Sequence, residues 1–342
     1  METDRIAVVI PNWNGLDELP DCLLSLRKQT VSHKIFVVEN GSTDRSLAYL
    51  SRQKDVETIV EKENLGFAGG VNAGINIAMQ QGYNYIALLN NDAIADKNWL
   101  KQLKDEIQKD QFVGIATSKM LNSDGKHIDD TGDFYTNWGL PFPRGRLETD
   151  LNKYDGLRDV FAASGGASLY RTAMFKEIGL FDEDFFAYYE DVDISFRAQL
   201  MGWKIRYSPE SIVYHNQGST SGKIKGFTTY QTFKNYPLLL IKNVPSKLLP
   251  NILLHHFIAY ASIYFSSIVG GRGWHATKGM LRMLTLLPKK LSERHNIQKS
   301  RKVSVDYIKS IIIYDLPPNA YKLRRLRDFF VRKNNPAKPH QV

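Results

Sequence analysis

The chain has 342 residues, a net charge of +9 at neutral pH, and 43% hydrophobic against 24% charged residues. This composition excludes disorder over most of the chain, and the length fits one large domain or two ordinary ones. The lone Cys22 excludes an intramolecular disulfide framework and a cysteine-based zinc site. The chain enters the apolar run Ile6–Ile10 without the basic and apolar regions of a signal peptide, so we expect a cytoplasmic location.

The net charge conceals two segments of opposite sign. Residues 1–220 hold 23 Lys and Arg against 32 Asp and Glu, a net charge of −9. Residues 221–342 hold 22 against 4, a net charge of +18. We therefore expect a first domain over residues 1–225, a helical amphipathic region over 226–333 and a disordered tail over 334–342.

The first domain alternates two kinds of segment. Short apolar runs predict five strands, at Ile6–Ile10, Ile35–Val38, Thr58–Val60, Tyr85–Leu89 and Val113–Thr117. Longer stretches between them predict four helices, at Asp17–Lys28, Asp44–Arg52, Gly70–Gln81 and Asn98–Lys109. This alternation predicts an α/β domain with a mainly parallel sheet, in which ligands bind beyond the carboxyl ends of the strands.

Each of the first four strands is followed by a polar loop rich in Asn and Gly, at Pro11–Gly15, Glu39–Asp44, Glu63–Gly74 and Asn90–Asp92. Such residues also form ordinary turns, and Asp44 would equally cap a helix. Four of these loops at one sheet edge nevertheless favour a binding site. Glycines in the third loop would let backbone approach a phosphate, and Asp92 could hold a divalent cation together with diphosphate oxygens.

A second polar cluster lies downstream. The run Val160–Tyr170 predicts a strand interrupted at Ser164–Gly166, and six acids fall within Asp182–Asp193 among aromatic residues. The pair Glu190 and Asp191 would suit a base near neutral pH, whereas acids such as Asp193 can also simply stabilise the start of a helix. His215 follows at a strand end, as a structural residue or as a second metal ligand.

Together these segments resemble the inverting family-2 glycosyltransferases with a GT-A fold, in particular the rhamnosyltransferase and galactofuranosyltransferase-like branch. The resemblance covers about residues 5–220. The motifs that carry it, in order, are Val9–Gly15, Val37–Asp44, Glu63–Gly74, Leu88–Asp92 and Phe181–Asp193.

The resemblance implies a role for each matching position. A nucleoside-diphosphate sugar donor would contact Pro11, Asn12, Asn14, Glu39, Asn64, Gly69, Asn72, Asn90 and Asn91. A divalent metal, Mg²⁺ or Mn²⁺, would bind Asp92 and His215. Asp191 would be the general base beside Glu190, and the acceptor would lie near Trp138, Gly165 and Gly166.

Two positions depart from the family pattern. Asn90 replaces the first Asp of the metal motif, which leaves a less anionic metal site, and Glu39 stands where relatives usually have Asp. The implied reaction is a single inverting displacement that transfers a sugar, with rhamnose as the first expectation. Galactofuranose or glucose transfer remains open, and so does a non-catalytic membrane-bound nucleotide- or glycan-binding protein, for which Asn90 is the only support. A nucleotidyltransferase is less well supported because the loop Pro11–Gly15 lacks Lys and Arg.

The basic half predicts contact with an anionic membrane surface, because cationic amphipathic helices bind such surfaces. Asn251–Val269 is uncharged and near the length that spans a bilayer. Its small or polar stripe favours packing on protein or at the interface instead, through His255, Ala259, Ser262 and Ser266. Further basic patterns lie at Arg272–Arg282 and Tyr321–Lys333. By resemblance the acceptor is a lipid-linked glycan at the inner face of the plasma membrane. We expect no nucleic-acid partner, and a homo-oligomer remains open.

Overall fold

A computed structural model describes residues 4–216, 224–318, 320 and 324 of the chain. The predicted tail, residues 334–342, lies outside the described residues, as does the predicted basic segment Tyr321–Lys333 apart from Arg324.

Strands and helices alternate through the first half of the chain, as its sequence pattern predicts. The strands are β1 (Ile6–Asn12), β2 (Lys34–Asn40), β3 (Val56–Glu61), β4 (Tyr85–Leu89), β5 (Ala93–Ala95), β6 (Val113–Asn122), β7 (Ile128–Asp130), β8 (Asp133–Tyr135), β9 (Pro141–Pro143), β10 (Ala167–Arg171) and β11 (Lys204–His215). The helices are α1 (Leu19–Arg27), α2 (Ser46–Leu50), α3 (Gly66–Gln80), α4 (Trp99–Gln108), α5 (Thr172–Ile178), α6 (Glu190–Leu200), α7 (Phe227–Asn243), α8 (Leu249–Val269), α9 (Gly273–Ser300) and α10 (Val305–Ile311).

The main sheet has the strand order β3-β2-β1-β4-β10-β6-β11-β5, with β7 paired to β6. Its first four strands are parallel to one another, and β11 is parallel to β6. Strand β10 is antiparallel to both β4 and β6. The predicted α/β fold of the GT-A type is confirmed. Most of the parallel pairs in the sheet join the first four strands, β1 to β4.

Because β10 runs against its neighbours, its first residues meet the last residues of β4. The backbone N–H of Asn90 donates to the carbonyl oxygen of Gly166 at 2.9 Å. The predicted strand Val160–Tyr170 is regular only from Ala167 onward. The preceding turn at Ser164–Gly166 is thereby held beside the loop that follows β4.

Both faces of the sheet are covered by helices. On one face α1 and α4 bury Leu23, Trp99 and Leu103 against the strands, in a core that also contains Cys22. On the other face α3, α5 and α6 bury a second set, including Val71 and Ile194. Fully apolar strands such as β4 fit this arrangement, since both of their faces are buried.

The helices after residue 226 share a third hydrophobic core with the sheet domain. Leu238, Leu239 and Leu240 of α7 are fully buried in a cluster with Phe196 of α6 and Tyr135 of β8. Residues of α8, α9 and α10 complete this cluster. The predicted regions 1–225 and 226–333 are therefore joined by a continuous apolar interface.

Helix α8 is long and apolar enough to cross a membrane by length and composition alone. Its buried residues are Ile252, His256, Ala259 and Ser267. This face is rotated by about one residue from the expected stripe through His255 and Ser262, with Ala259 common to both. A helix packed on protein was one of the two expected arrangements, and the opposite face of α8 remains exposed.

Candidate active site

A cavity of about 1390 Å³, here called the main cavity, opens at the carboxyl ends of β1 and β4. These strands are adjacent and parallel, so the loops that follow them leave the sheet at the same edge. The lining of this cavity contains the following residues predicted from the sequence: Pro11, Asn12, Asn64, Asn90, Asn91, Asp92, Gly165, Gly166, Glu190, Asp191 and His215.

Glu39 is buried behind the wall of the main cavity rather than in its lining. Its carboxylate accepts hydrogen bonds from Asn12 Nδ2 at 2.9 Å and from the Ser42 backbone N–H at 2.7 Å. Asn12 Oδ1 in turn accepts from Asn91 Nδ2 at 2.8 Å. The carboxylate of Glu39 therefore orients Asn12 and the loop after β2, and its position does not support a direct contact with base or ribose.

Asn14 also lies outside the lining and connects two loops. Its Oδ1 accepts hydrogen bonds from the backbone N–H groups of Thr43 at 2.7 Å and Asp44 at 3.2 Å. The backbone of Asn14 is left-handed, with a φ of 52°, a conformation that asparagine tolerates better than most residues. Asn14 therefore fixes the spacing between the loops that follow β1 and β2.

Gly69 and Asn72 of α3 do not line the main cavity either. Asn72 Nδ2 donates to the carbonyl oxygen of Phe181 and to the carboxylate of Glu183, each at 2.9 Å, and Asn72 Oδ1 accepts from the N–H of Phe181 at 3.1 Å. All these groups are used within the protein. Asn72 thus holds the segment Phe181–Asp193, called here the acidic segment, against α3, and its predicted contact with the donor is not supported.

The proposed metal ligands lie together at one side of the main cavity. His215 Nε2 lies 3.2 Å from Asp92 Oδ1, and His215 Nδ1 lies 2.7 Å from Asp129 Oδ2. Burial alone would lower the pKa of His215, but hydrogen bonds to Asp129 and Asp92 outweigh burial and raise the pKa to about 9. A carboxylate that holds one imidazole nitrogen while the other faces a second carboxylate is a common arrangement around metal-binding histidines.

These donors fit a divalent cation chemically. Asp92 offers a carboxylate oxygen and His215 an imidazole nitrogen, a pair that suits Mn²⁺ and also Mg²⁺. Asn90 Nδ2 lies 3.4 Å from His215 Nε2, so the amide stands beside the same position without adding a charge. Asp129 is itself held by Arg146, whose Nη2 lies 3.1 Å from Asp129 Oδ1.

The carboxylate of Asp191 is fixed by two backbone groups at the start of α6. Its Oδ2 accepts from the N–H of Gly165 at 3.0 Å and its Oδ1 from the N–H of Val192 at 2.8 Å. Burial raises the pKa of Asp191, although these two N–H groups act in the opposite direction. Each oxygen retains a lone pair directed elsewhere, so Asp191 can still accept a proton from a molecule in the main cavity.

Glu190 lies next to the same opening but in a different environment. Its Oε2 is buried and has no hydrogen-bond partner among the residues that the structure describes. Burial, followed by the charge of Asp191, raises the pKa of Glu190 well above its usual range. Glu190 is therefore poised to be neutral when Asp191 is ionised.

Two further carboxylates line the main cavity that the sequence reasoning missed. Burial raises the pKa of Asp130 to about 7 and that of Asp133 well above its usual range, and the charge of Asp191 contributes to both. The sequence Ile128–Asp130 contains two acids after an apolar residue. No local sequence pattern indicates that these acids lie near Asp191 in the fold. The structure places these acids and Asp191 around the same space.

Three further acids of the acidic segment, Asp182, Asp184 and Asp193, are held by lysines of the C-terminal helices. Lys242 of α7 lies 2.5 Å from Asp182 and 3.0 Å from Asp193, and Lys290 of α9 lies 2.5 Å from Asp182 and 2.7 Å from Asp184. Asp182, Asp184 and Glu293 lie close enough together to hold a cation. The ammonium groups already supply that positive charge, so we assign this cluster a structural role.

The backbone just before Asp191 is strained. Phe186, Tyr188 and Tyr189 all have left-handed φ values between 62° and 73°, which cost on the order of 1–3 kcal/mol each in non-glycine residues. Asn235 of α7 offsets part of this cost, because its Nδ2 lies 2.8–3.0 Å from three carbonyl oxygens of residues 185–188. The position of the catalytic candidate thus depends on a helix distant in sequence.

The predicted acceptor loop reaches the cavity, but Trp138 itself does not line it. The indole packs on His255 of α8 with ring centroids 4.9 Å apart, and the Trp138 carbonyl oxygen lies 3.3 Å from His256 Nδ1. The adjoining residues Leu140–Pro143 line the cavity instead. On the acceptor side, Gly165 and Gly166 are in the lining as expected, and Tyr236 and Arg272 are additions that the sequence did not suggest.

The fold is shared with solved glycosyltransferase structures of low sequence identity. A crystal structure of residues 1–349 of S. aureus TarS matches with a TM-score of 0.53 at 17% identity, covering 86% of this chain and 90% of that one. A mannosyltransferase from Pyrobaculum calidifontis, solved with GDP-Man and Mn²⁺, matches with a TM-score of 0.53 at 13% identity, covering 90% and 85%.

Curated relatives act in glycan synthesis by their names. The low-salt glycan biosynthesis hexosyltransferase Agl10 of Haloferax volcanii is 24% identical over 241 residues, which are 68% of this chain and 74% of the relative. The N-acetylglucosaminyl-diphospho-decaprenol L-rhamnosyltransferase of Mycobacterium tuberculosis is 25% identical over 248 residues, 65% and 79% of the two chains.

The model of the family described as "Glycosyl transferase family 2" matches residues 7–179, which is more than half of the chain. The match spans β1 through α5 and so contains the loops after β1, β3 and β4 that line the main cavity. The chain therefore belongs to glycosyl transferase family 2.

Proposed function

We propose that this glycosyltransferase moves a sugar, rhamnose in the first instance, from a nucleoside-diphosphate donor to a hydroxyl of a lipid-linked or polysaccharide acceptor, with inversion, in cell-surface glycan synthesis. The observation that carries the proposal is that Asp191 and Asp92 line the same cavity, where the Gly165 N–H donates to Asp191 and the Gly166 carbonyl accepts from Asn90 in the loop after β4. One carboxylate is placed to accept a proton and the other to hold a cation.

The donor would occupy the part of the main cavity bounded by the loops after β1, β3 and β4. Asn12, Asn64 and Asn91 provide neutral amide groups there, which suit the hydrogen-bonding edges of a base or ribose. Asn64 Oδ1 also accepts from the N–H of Gly66 at 2.8 Å, which organises the first turn of α3 next to this space. The rhamnosyltransferase relative supports the choice of sugar by its name alone.

A divalent metal, Mn²⁺ or Mg²⁺, would be held by Asp92 and His215, with Asp129 orienting the imidazole. When bound, such an ion neutralises developing charge on the departing diphosphate. The protein's own contribution is the orientation of His215 through Asp129 and the neutral amide of Asn90 alongside.

The reaction chemistry falls to Asp191. An acceptor hydroxyl transfers its proton to this carboxylate while the hydroxyl oxygen forms a bond to the anomeric carbon, and the bond from that carbon to the diphosphate oxygen breaks. The raised pKa of Asp191 brings its basicity closer to neutral pH, which favours proton transfer. The N–H groups of Gly165 and Val192 keep the carboxylate aimed as the charge changes.

On the acceptor side we propose a cytoplasmic enzyme, peripheral on the inner face of the plasma membrane, with residues 226–333 as the membrane-associating region. Apolar side chains are exposed along α8 and α9, among them Leu254, Phe257 and Trp274, with Lys278 and Arg282 beside them. Basic residues that flank exposed apolar groups suit an anionic leaflet. The rhamnosyltransferase relative is named for a lipid-diphosphate acceptor.

The donor and the metal can be tested together by thermal shift of the full chain. The panel would contain dTDP-rhamnose, UDP-galactofuranose, UDP-glucose and UDP-N-acetylglucosamine, each with and without Mn²⁺. A donor at 100 times its dissociation constant should stabilise the native state by about 2.7 kcal/mol. We expect Asp92→Ala to abolish the Mn²⁺-dependent part of that shift.

Asp124→Ala, at an exposed acid on the loop between β6 and β7, is the matched control and should retain the full Mn²⁺ effect. A shift with a donor other than dTDP-rhamnose would correct the sugar. No shift with any donor would contradict donor binding, and an unchanged Mn²⁺ response in Asp92→Ala would contradict the metal assignment.

A further inference from the structure

Arg272 occupies the tight connection between α8 and α9. Gly271, with a φ of 69°, allows the chain to reverse there, and the Arg272 N–H donates to the carbonyl oxygen of Ser267 at 2.7 Å. The guanidinium folds back over α8, since its Nη2 would lie 3.3 Å from a Cβ placed on Gly270. The side chain thereby reaches the lining of the main cavity.

The charges in the main cavity are unevenly distributed. Four carboxylates, those of Asp130, Asp133, Glu190 and Asp191, line the cavity from β7, β8 and the start of α6. Of the two described arginines in the lining, Arg146 is paired with Asp129. Arg272, the other one, takes part in none of the ion pairs found within residues 4–216 and 224–318. A bound acceptor therefore meets anionic groups near Asp191 and a positive charge at α8.

Helix α8 separates the cavity from an apolar surface. Ser262, Ile263, Ser266 and Ser267 line the cavity. On the outer side of the same turns, Phe265 is 69% exposed, Ile268 50% and Val269 74%. Arg272 follows directly after the end of this helix, at the point where the cavity and the apolar surface meet.

We propose that Arg272 binds the phosphate of a lipid-phosphate-linked saccharide acceptor, whose lipid lies in the bilayer against the outer face of α8. This inference rests on the proposed function, because the sugar hydroxyl would then reach Asp191. A guanidinium offers a planar pair of N–H donors that matches phosphate oxygens, and the Ser266 hydroxyl stands nearby in the lining. The carboxylates around Asp191 disfavour an anion there, so we expect the phosphate at Arg272 and the sugar hydroxyl at Asp191.

The test is flotation of the full chain with phosphatidylcholine vesicles that contain a small fraction of either farnesyl phosphate or farnesol. We expect tighter binding to the vesicles with farnesyl phosphate. Arg272→Gln should weaken the phosphate-dependent part about ten- to hundredfold, the range for a lost charged hydrogen bond. Lys278→Gln, six residues further along the chain in α9 and exposed, should weaken it by about fivefold or less, the contribution of one surface charge.

Equal weakening in Arg272→Gln and Lys278→Gln would overturn the proposal, because general attraction to the surface would then explain the binding. Equal binding of wild type to both kinds of vesicle would also overturn it. Full competition by inorganic phosphate at concentrations that match the farnesyl phosphate would contradict a lipid source and indicate a site for free anions.

Donor thermal shifts in the same variants separate this inference from the proposed function. Arg272→Gln should retain the wild-type shift with the donor and Mn²⁺, since Arg272 belongs to the connection between α8 and α9 and not to the loops proposed to hold the donor. If wild type shows no donor shift, the proposed function fails whatever the vesicles show. A normal donor shift with no effect of Arg272→Gln on the vesicles would overturn only the phosphate site.

Discussion

The acidic segment divides into two groups of carboxylates with opposite surroundings. Asp182, Asp184 and Asp193 contact lysines of α7 and α9 at 2.5–3.0 Å. Glu190 and Asp191 face the main cavity, and none of the ion pairs within residues 4–216 and 224–318 involves either of them. The first group has pKa values lowered by the ammonium charges despite burial, and burial raises the pKa values of the second group.

Because of this difference, carboxylates in one short stretch differ in how readily they accept a proton. A buried carboxylate paired with lysine is stable as an anion and contributes to folding, but it is a poor base. A carboxylate in the cavity without a cation is costly to the fold and available for proton transfer. The two groups are therefore separable by mutation.

Asp191→Asn should reduce turnover by about 10²–10⁴-fold, because the amide cannot accept the acceptor's proton. The side chain keeps its shape, so the donor-induced thermal shift should remain near the wild-type value. Steady-state transfer assays and thermal shift on the same preparation test both statements.

The matched control is Asp193→Asn, two residues along the same helix. It removes ion pairs with Lys242 and Arg197 and should lower stability, while activity per folded molecule changes far less than in Asp191→Asn. Near-normal turnover in Asp191→Asn, or an equal loss of turnover in both variants, would contradict the division of the acidic segment.

Lys242→Met should lower the free energy of unfolding by up to about 3 kcal/mol, the low end for a broken buried pair, because Asp182 keeps Lys290 and Asp193 keeps Arg197. Urea unfolding followed by circular dichroism measures this change. Lys289→Met is the comparison, since Lys289 is 60% exposed and its pair with Asp184 should be worth less than about 1 kcal/mol. Similar losses in the two variants would mean that the buried network does not stabilise the protein.

The lysine-paired acids and the buried acids that line the main cavity, Asp130 and Asp133 among them, should also have opposite pH signatures. The lowered pKa values of Asp182 and Asp193 give stability that is complete above about pH 5 and is lost as the pH falls through 4 and below. The raised pKa of Asp130, about 7, and that of Asp133 mean that stability declines as the pH rises from about 4 toward 7, because the folded state holds these protons more tightly.

Urea midpoints between pH 3 and pH 8 resolve the two effects. Lys242→Met should make the acid-side loss shallower, and Asp130→Asn should make the decline toward neutral pH shallower, by on the order of 1 kcal/mol. A wild-type profile with no decline between pH 4 and pH 7 would contradict the raised pKa values of the cavity acids.

Local patterns predicted the sheet edge well. Each of the motifs after β1 and β4 is a continuous stretch of sequence. Because the two strands pair in parallel, their carboxyl ends meet, as the hydrogen bond between Asn12 and Asn91 shows. The same reasoning does not show which way Glu39 and Asn72 turn: their side chains bond neighbouring backbone and side-chain groups, and their contacts with a donor stay predictions. Residue type and position in a loop do not determine whether a polar group faces the cavity or the loop behind it.

Nonlocal contacts account for most of what the sequence did not predict. Asp129, Asp130 and Arg146 reach the site through short strands that local propensity could not identify. The lysines of α7 and α9 looked like part of a general basic surface, whereas Lys242 and Lys290 are buried. Their partners are about 50 to 110 residues away in sequence, so charge patterning within either segment gave no indication of the pairing.

The left-handed residues before Asp191 have a consequence for how the enzyme is made. The hydrogen-bond donors that hold residues 185–188 come from Asn235 and Lys234 of α7, and the charges that hold Asp182 come from α7 and α9. A nascent chain that ends at β11 already contains every residue of the family-2 match but none of these groups. We therefore expect residues 185–191 to reach the conformation seen here only after α7 and α9 have been synthesised, later than the completion of the sheet.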